Sequence, residues 1–230
     1  MTFAPLGDLM KEDLGGRPQL LAAKGLIWYP AETDVSIRPG WFYHSKEDSL
    51  VRSPSGLMDL YFSSVGRNSL LLLNIPPDRE GLISDADVHS LQGWRKEMDA
   101  TFKLNLAAGA RVLCDNGVNS AALLDGNKET YWTTSGEDTA AKIDLILPDE
   151  RTFDVVSLQE EISVGQRVEK FVLEYYAGDS QWKELATGTT IGYKRLIRFP
   201  PVTAHAVRLR ILSSRLNPTI SEFGLYKLAQ

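Results

Sequence analysis

The chain has 230 residues, 43% of them apolar, and a net charge of −5. That apolar content supports a packed core and excludes a disordered chain. Residues 1–100 carry 10 Lys and Arg against 14 Asp and Glu, and residues 101–230 carry 15 against 16, so neither part has the basic footprint of a nucleic-acid partner or a polybasic membrane patch.

Met1–Gly16 places Asp8, Lys11, Glu12 and Asp13 where an export signal needs an apolar run. No stretch reaches the ~18 uninterrupted apolar residues of a membrane span. A soluble chain is expected, with no signal peptide of its own and no membrane insertion. Met1–Pro5 offers neither a capped helix nor a paired strand, and it reads as the continuation of a longer chain. Trp28 to His44 is the densest chemistry: aromatics, Glu32, Asp34, Arg38 and His44 interleaved with Pro30, Pro39 and Gly40. Aromatic faces stack on the C–H face of a sugar while Arg, Glu and Asp bond its hydroxyls. The alternative reading is an aromatic packing loop with an internal Asp34–Arg38 ion pair.

Leu57, Leu60, Tyr61, Ser64 and Val65 recur at helical spacing, and Gly66 and Asn68 can stop that helix. The run Leu70–Ile75, closed by Pro76 and Pro77, predicts a parallel strand buried on both faces. A second helix follows, capped by Ser84 or Asp85, with Val88, Leu91, Trp94, Met98 and Phe102 along one stripe. Helix, buried strand, helix is the grammar of an α/β fold, and its sheet needs more strands than this segment supplies.

Past Leu104 the period becomes two. Ile143, Leu145 and Leu147, then Phe171, Leu173 and Tyr175, then Val207, Leu209 and Ile211 alternate with other residues, separated by turn clusters such as Asp125-Gly126-Asn127. Short strands at regular spacing predict an antiparallel sandwich or jelly roll. Cys114 is the single cysteine, which excludes an intrachain disulfide and reads as a small buried residue. Asp125, Asn127 and Thr130 put several hard oxygens in one tight turn, a pattern suited to calcium; an ordinary turn is the alternative. Trp132, Tyr131, Tyr193 and Trp182 are the rings available to a sugar. Trp132 is expected in the core, and Tyr193 with Arg195 and His205 forms a candidate patch.

Ala121 to Thr134, the hairpin from Phe171 to Trp182, and the ending Ala206–Ile211 with Ile220–Tyr226 resemble the coagulation-factor 5/8 type C, or discoidin-like, domain. That resemblance adds Glu222 to Asp125, Asn127 and Thr130 as a structural Ca²⁺ site, with no other cofactor required. Ser36–His44, Ser64–Asn68, Leu71–Asp78 and Gly81–Ile83 resemble the end of the catalytic domain in α-L-fucosidases of glycoside hydrolase family 29, nearest the subgroup acting on branched α-1,3/1,4-fucosides.

The implied architecture is an α/β remnant of a (β/α)8-type barrel over residues 1–102, followed by an all-β discoidin-like jelly-roll sandwich over residues 103–230. The implied chemistry is retaining hydrolysis of terminal fucose by a nucleophile and an acid/base, both upstream of Met1. No catalytic residue is therefore assigned. Trp41, Glu32, Arg38 and His44 are the expected substrate-binding wall, and fucosylated glycans the expected partners. Three readings follow: a fucosidase fragment inactive alone, a noncatalytic carbohydrate-binding sandwich, and a subunit completing a barrel whose N-terminal part another chain supplies.

Overall fold

The computed structural model describes residues 2–3, 17–22, 24–26, 30–178 and 181–229; the predicted features at Asp8–Asp13, Trp28 and Tyr29 lie outside them. In chain order the strands are β1 (Thr2–Phe3), β2 (Gly25–Leu26), β3 (Glu32–Ser36), β4 (Leu70–Asn74), β5 (Arg111–Cys114), β6 (Gly117–Val118), β7 (Trp132–Thr134), β8 (Ala141–Glu160), β9 (Val168–Tyr176), β10 (Trp182–Gly188), β11 (Arg195–Ser214) and β12 (Thr219–Tyr226). The helices are α1 (Arg17–Ala22), α2 (Pro54–Ser63) and α3 (Asp85–Phe102). The described residues are thus mostly β, with few helices.

Both longer helices start on a serine cap, predicted at Ser84 and found in addition at Ser53. The Ser53 hydroxyl accepts from Gly56 N–H ahead of a proline in the first turn of α2, and Ser84 accepts from Asp87 N–H at the start of α3. β3 and β4 pair in parallel, Glu32 opposite Leu70 and Ser36 opposite Asn74. The parallel strand is therefore where the sequence puts it, but its burial is not. Leu70 is 61% exposed and Leu72 51%, because β3 is the one strand paired with β4 among the described residues and nothing described covers that face.

Eight strands form one sheet in the order β10-β9-β11-β8-β12-β7-β6, with β5 added beside β8. β8 and β11 are each 20 residues long and pair antiparallel along their length. Their other neighbours change midway. Residues 143–146 of β8 pair with β5, whereas residues 155–160 pair with β12. The β8–β11 register shifts between Arg198 and Val202 and again between Ala204 and Ala206. Such bulges bend a strand and tolerate prolines, here Pro200 and Pro201. The sheet thereby folds back on itself. Leu145, Leu173 and Leu209 from one half share a fully buried core with Val156, Leu158, Phe223 and Leu225 from the other.

Trp132 is buried at the edge of this core, its Nε1 donating to Cys114 Sγ at 3.4 Å. Gly117 passes beneath the indole, where any Cβ would overlap the ring. Trp182, one of the rings offered for a sugar, is covered instead: the Arg208 guanidinium lies 3.7 Å over its ring and Tyr176 meets it edge-on. The helices lie on the outer face. Met58 and Phe62 of α2 pack with Val155 and Leu196 of the sheet, flanked by Trp94, Met98 and Phe102 of α3. Phe102 and Tyr226 have ring centroids 5.1 Å apart. The apolar burial of this cluster is thus made against the sandwich.

Candidate functional site

The first candidate region is the end of β3 and β4. Ser36 closes β3, and its hydroxyl donates to Gly40 O at 2.8 Å, fixing the turn that leads to Trp41. Asn74 closes β4, and its amide donates to Ser36 Oγ at 3.0 Å and to Trp41 O at 3.1 Å. The Trp41 ring stays 51% exposed beside an exposed Phe42. This places Trp41 beyond the C-terminal end of a parallel strand, where α/β barrels carry their sites. His44 is exposed close by, its carbonyl accepting from Glu47 N–H.

Arg38 is placed differently from the expected wall. Its side chain is fully buried, with Nε 3.0 Å from Asp87 Oδ2 and Nη2 2.8 Å from Asp48 Oδ1 and 2.7 Å from Ser84 Oγ. Nη1 donates to His44 O, and the Tyr43 ring covers the guanidinium at 4.7 Å. Arg38 thus ties the loop to the start of α3 and has no face left for a sugar hydroxyl. Its partners are Asp87 and Asp48, not Asp34. Glu32 is also apart: it begins β3, four residues or about 13 Å of strand from Ser36, at the opposite end from Trp41. Of the four predicted wall residues, the structure brings Trp41 and His44 to one end. Asn74 joins them unpredicted; its signal was a lone amide ending a run of leucines.

The second region is the turn after Leu124. Asp125 Oδ1 accepts from Asn127 N–H at 2.8 Å, and Oδ2 accepts from the Thr130 hydroxyl at 2.7 Å. Asn127 Oδ1 accepts from Glu129 N–H. Glu222, on β12, lies at this turn and accepts from Gly126 N–H. Its carboxyl is pushed up to about 7, first by burial and then by the charge of Asp125, with the Gly126 hydrogen bond and Lys194 pulling the other way. Two acids facing each other in a turn rich in carbonyl oxygens fit a hard cation, which would relieve that repulsion. Asp125 and Glu222 would be the carboxylate donors for such an ion, and oxygens of Asn127 and Thr130 the neutral ones. No cluster of three or more His, Cys, Asp or Glu residues occurs among the described residues, so the ion would depend on those neutral oxygens.

Beside this turn a cavity of about 590 Å³ opens between Lys128–Tyr131, Gln159–Ser163, Tyr193 and Ser221. Glu160 at its base is 2% exposed, with Oε1 accepting from Arg167 and Val168 N–H and Oε2 from Gly192 N–H. Burial pushes its carboxyl up, and those three hydrogen bonds pull it down. Sequence reasoning missed Glu160; the signal was an acid at the end of an otherwise buried strand. The Tyr193 patch is not assembled as expected. His205 meets Tyr176 edge-on at 5.5 Å between ring centroids, ten residues beyond Arg195 along β11.

The sheet order, the Asp125 turn and its acid on the last strand define a class, and comparison agrees: residues 112–223 match the family model of the F5/8 type C domain, so the sandwich is a discoidin-like domain. Over most of its length the chain is similar to α-L-fucosidases. It is 37% identical to alpha-L-fucosidase 1 of Arabidopsis thaliana across 88% of this chain and 41% of that protein. A Ruminococcus gnavus GH29 fucosidase, solved in complex with fucose, superposes with a TM-score of 0.84 at 37% identity, covering 90% of this chain and 43% of that one. A glycoside hydrolase 29 family member from an unknown rumen bacterium gives 0.73 at 36% identity, covering 90% and 34%. The chain spans about two fifths of the curated relatives' length.

Proposed function

We propose that this chain is the C-terminal portion of a retaining exo-α-L-fucosidase that releases terminal fucose from glycans, with residues 1–102 closing a barrel and residues 103–230 forming its appended sandwich. The observation that carries this is the similarity to fucosidases along both parts, not the sandwich alone. Trp41 would form part of the sugar-facing wall and Asn74 would hold its loop. The partner of the exposed β4 face would be an N-terminal barrel portion.

The chain alone is not expected to catalyse. Retention needs two carboxyl groups about 5–5.5 Å apart across the sugar. Near Trp41, Asp87 and Asp48 are ion-paired to Arg38, and Glu32 sits at the far end of its strand. Incubating the purified chain with 4-nitrophenyl α-L-fucoside should release no nitrophenol above background. Measurable turnover that disappears with an active-site fucose analogue overturns this reading.

Calcium is proposed as a structural ion of the sandwich at Asp125, Asn127, Thr130 and Glu222. A second functional reading, noncatalytic glycan binding by the sandwich, is favoured by the cavity beside Tyr193. No helix among the described residues is long and apolar enough to cross a membrane.

A further inference from the structure

β3 and β4 are a weak platform by themselves. A two-stranded sheet is marginal without further cover, and Leu70 and Leu72 leave one face of β4 open. This pair nevertheless carries the Trp41 loop, so the way its ends are held matters.

One end is the turn at residues 64–69, between α2 and β4, and the sandwich grips it. Leu196 N–H donates to Gly66 O at 2.9 Å. A Cβ on Gly66 would fall 2.9 Å from Leu196 Cβ, so glycine permits that approach. Asn68 reaches across to the sandwich with both ends of its amide. Nδ2 donates to Ile191 O at 2.9 Å, and Oδ1 accepts from Lys194 N–H at 2.9 Å. Its backbone is left-handed, with φ +67°, a conformation asparagine adopts more readily than most residues with a side chain. The loop that Asn68 holds is anchored in turn, because the buried Glu160 accepts from Gly192 N–H at 2.7 Å.

The turn passes this constraint to both strands. Leu70 N–H donates to Ala31 O at 2.9 Å, and the Ser69 and Thr33 hydroxyls lie 2.8 Å apart. A second asparagine ends β4, about 20 Å of extended chain beyond Asn68. Asn74 O accepts from Ile37 N–H at 3.0 Å, and its amide donates to Ser36 Oγ and Trp41 O. β4 is thus a rod with an asparagine at each end, one bonded to the sandwich and one to the Trp41 loop. Arg38 ties the same loop to α3, so loosening β4 displaces Trp41 without releasing it.

We propose that the sandwich is a splint for the sugar-facing wall, with Asn68 as the positioning residue that sets, through β4 and Asn74, where the Trp41 ring lies. Its bearing on catalysis rests on the fucosidase reading above, since misplacing a substrate-facing group by about 1 Å can cost roughly 10²-fold in rate. The test reads position and not activity. The full chain is labelled with 5-fluorotryptophan and followed by fluorine NMR, with Trp41 assigned through Trp41→Phe. Asn68→Gly keeps the left-handed backbone and removes both amide bonds. It should shift or broaden the Trp41 signal, as Asn74→Ala should, while the signal of the buried Trp132 stays at its parent position. Asn68→Asp keeps the oxygen that faces Lys194 N–H and should give a smaller displacement. A Trp41 signal moved by Asn74→Ala but not by Asn68→Gly overturns the splint. A signal unmoved by either removes it together with the role given to Asn74. Movement of Trp132 along with Trp41 in both Asn68 variants means general loosening of the sandwich, and it also overturns the splint. None of these outcomes bears on the fucosidase reading, which would fall instead to turnover by the chain alone.

Discussion

Arg38 and Asp87 are both fully buried as side chains and lie 3.0 Å apart. Removing one member of such a pair strands the other's charge, which costs about 3–5 kcal/mol, whereas replacing both with apolar groups costs far less. Arg38→Ala should therefore lower stability by that amount in urea unfolding, and Arg38→Met with Asp87→Leu should recover part of it. Glu222 makes the opposite kind of prediction. Its carboxyl ionises near 7 in the fold against an ordinary 4.5, so between those values the folded chain holds a proton the unfolded chain has released. Stability from this group is present below about 4.5 and is lost as pH rises to about 7. In chelator, the melting temperature of the parent relative to Glu222→Gln should fall between pH 5 and pH 8. Calcium should restore it at pH 8 and act weakly at pH 5. A melting temperature indifferent to calcium at both values removes the ion.

At the scale of elements, the loop after α2 grips the sandwich through backbone. Leu196 N–H donates to Gly66 O at 2.9 Å, and Asn68 bridges Ile191 and Lys194. Gly192 has φ +66°, and a Cβ there would fall 2.5 Å from Asn68 Oδ1. Gly192→Ala combines a left-handed backbone with that overlap and should cost about 1–3 kcal/mol. Gly126 has φ +71° but open space around it, so Gly126→Ala should cost only the backbone part, about 1–2 kcal/mol. Adding Asn68→Ala to each separates the two causes: it should be non-additive with Gly192→Ala and additive with Gly126→Ala. Much at this scale was legible in the sequence. Ser84 caps, Gly66 and Asn68 stop a helix, and Ile143, Leu145 and Leu147 alternate because one face is buried. What was not legible depends on distant chain. Asp87 lies 49 residues from Arg38, while Asp34 sat at a tempting local spacing, and sequence periodicity carries no information about which acid arrives.

For the whole molecule, exposure is uneven. Leu70, Leu72, Trp41, Phe42, Leu82 and Ile83 are all about half exposed or more and belong to the part that precedes the sandwich. Exposed apolar side chains promote association where they form a patch, and a parallel strand with one partner among the described residues adds unpaired backbone groups. Leu70→Lys with Leu72→Lys should reduce hydrophobic-dye binding and self-association in sedimentation while changing stability by no more than about 0.5 kcal/mol. An unchanged sedimentation profile would show that this face does not drive association. The apolar run correctly announced a parallel strand; its burial was not legible because it depends on neighbours that β3 alone cannot replace.

The two 20-residue strands also set an order of events in time. Ile143 faces Leu209 and Lys142 faces Arg210, so β8 stays without its main partner until synthesis has passed Ile211. Helices α2 and α3 need only local contacts and form within microseconds, whereas pairing across so long a loop belongs to the slow, millisecond-to-second class. With a ribosome adding about 5–20 residues per second, the leucines of β8 spend seconds in water before β11 arrives. The bend that gives the sandwich a single continuous core thus also gives the newborn chain a vulnerable interval, one in which chaperone binding and aggregation compete for the same strand.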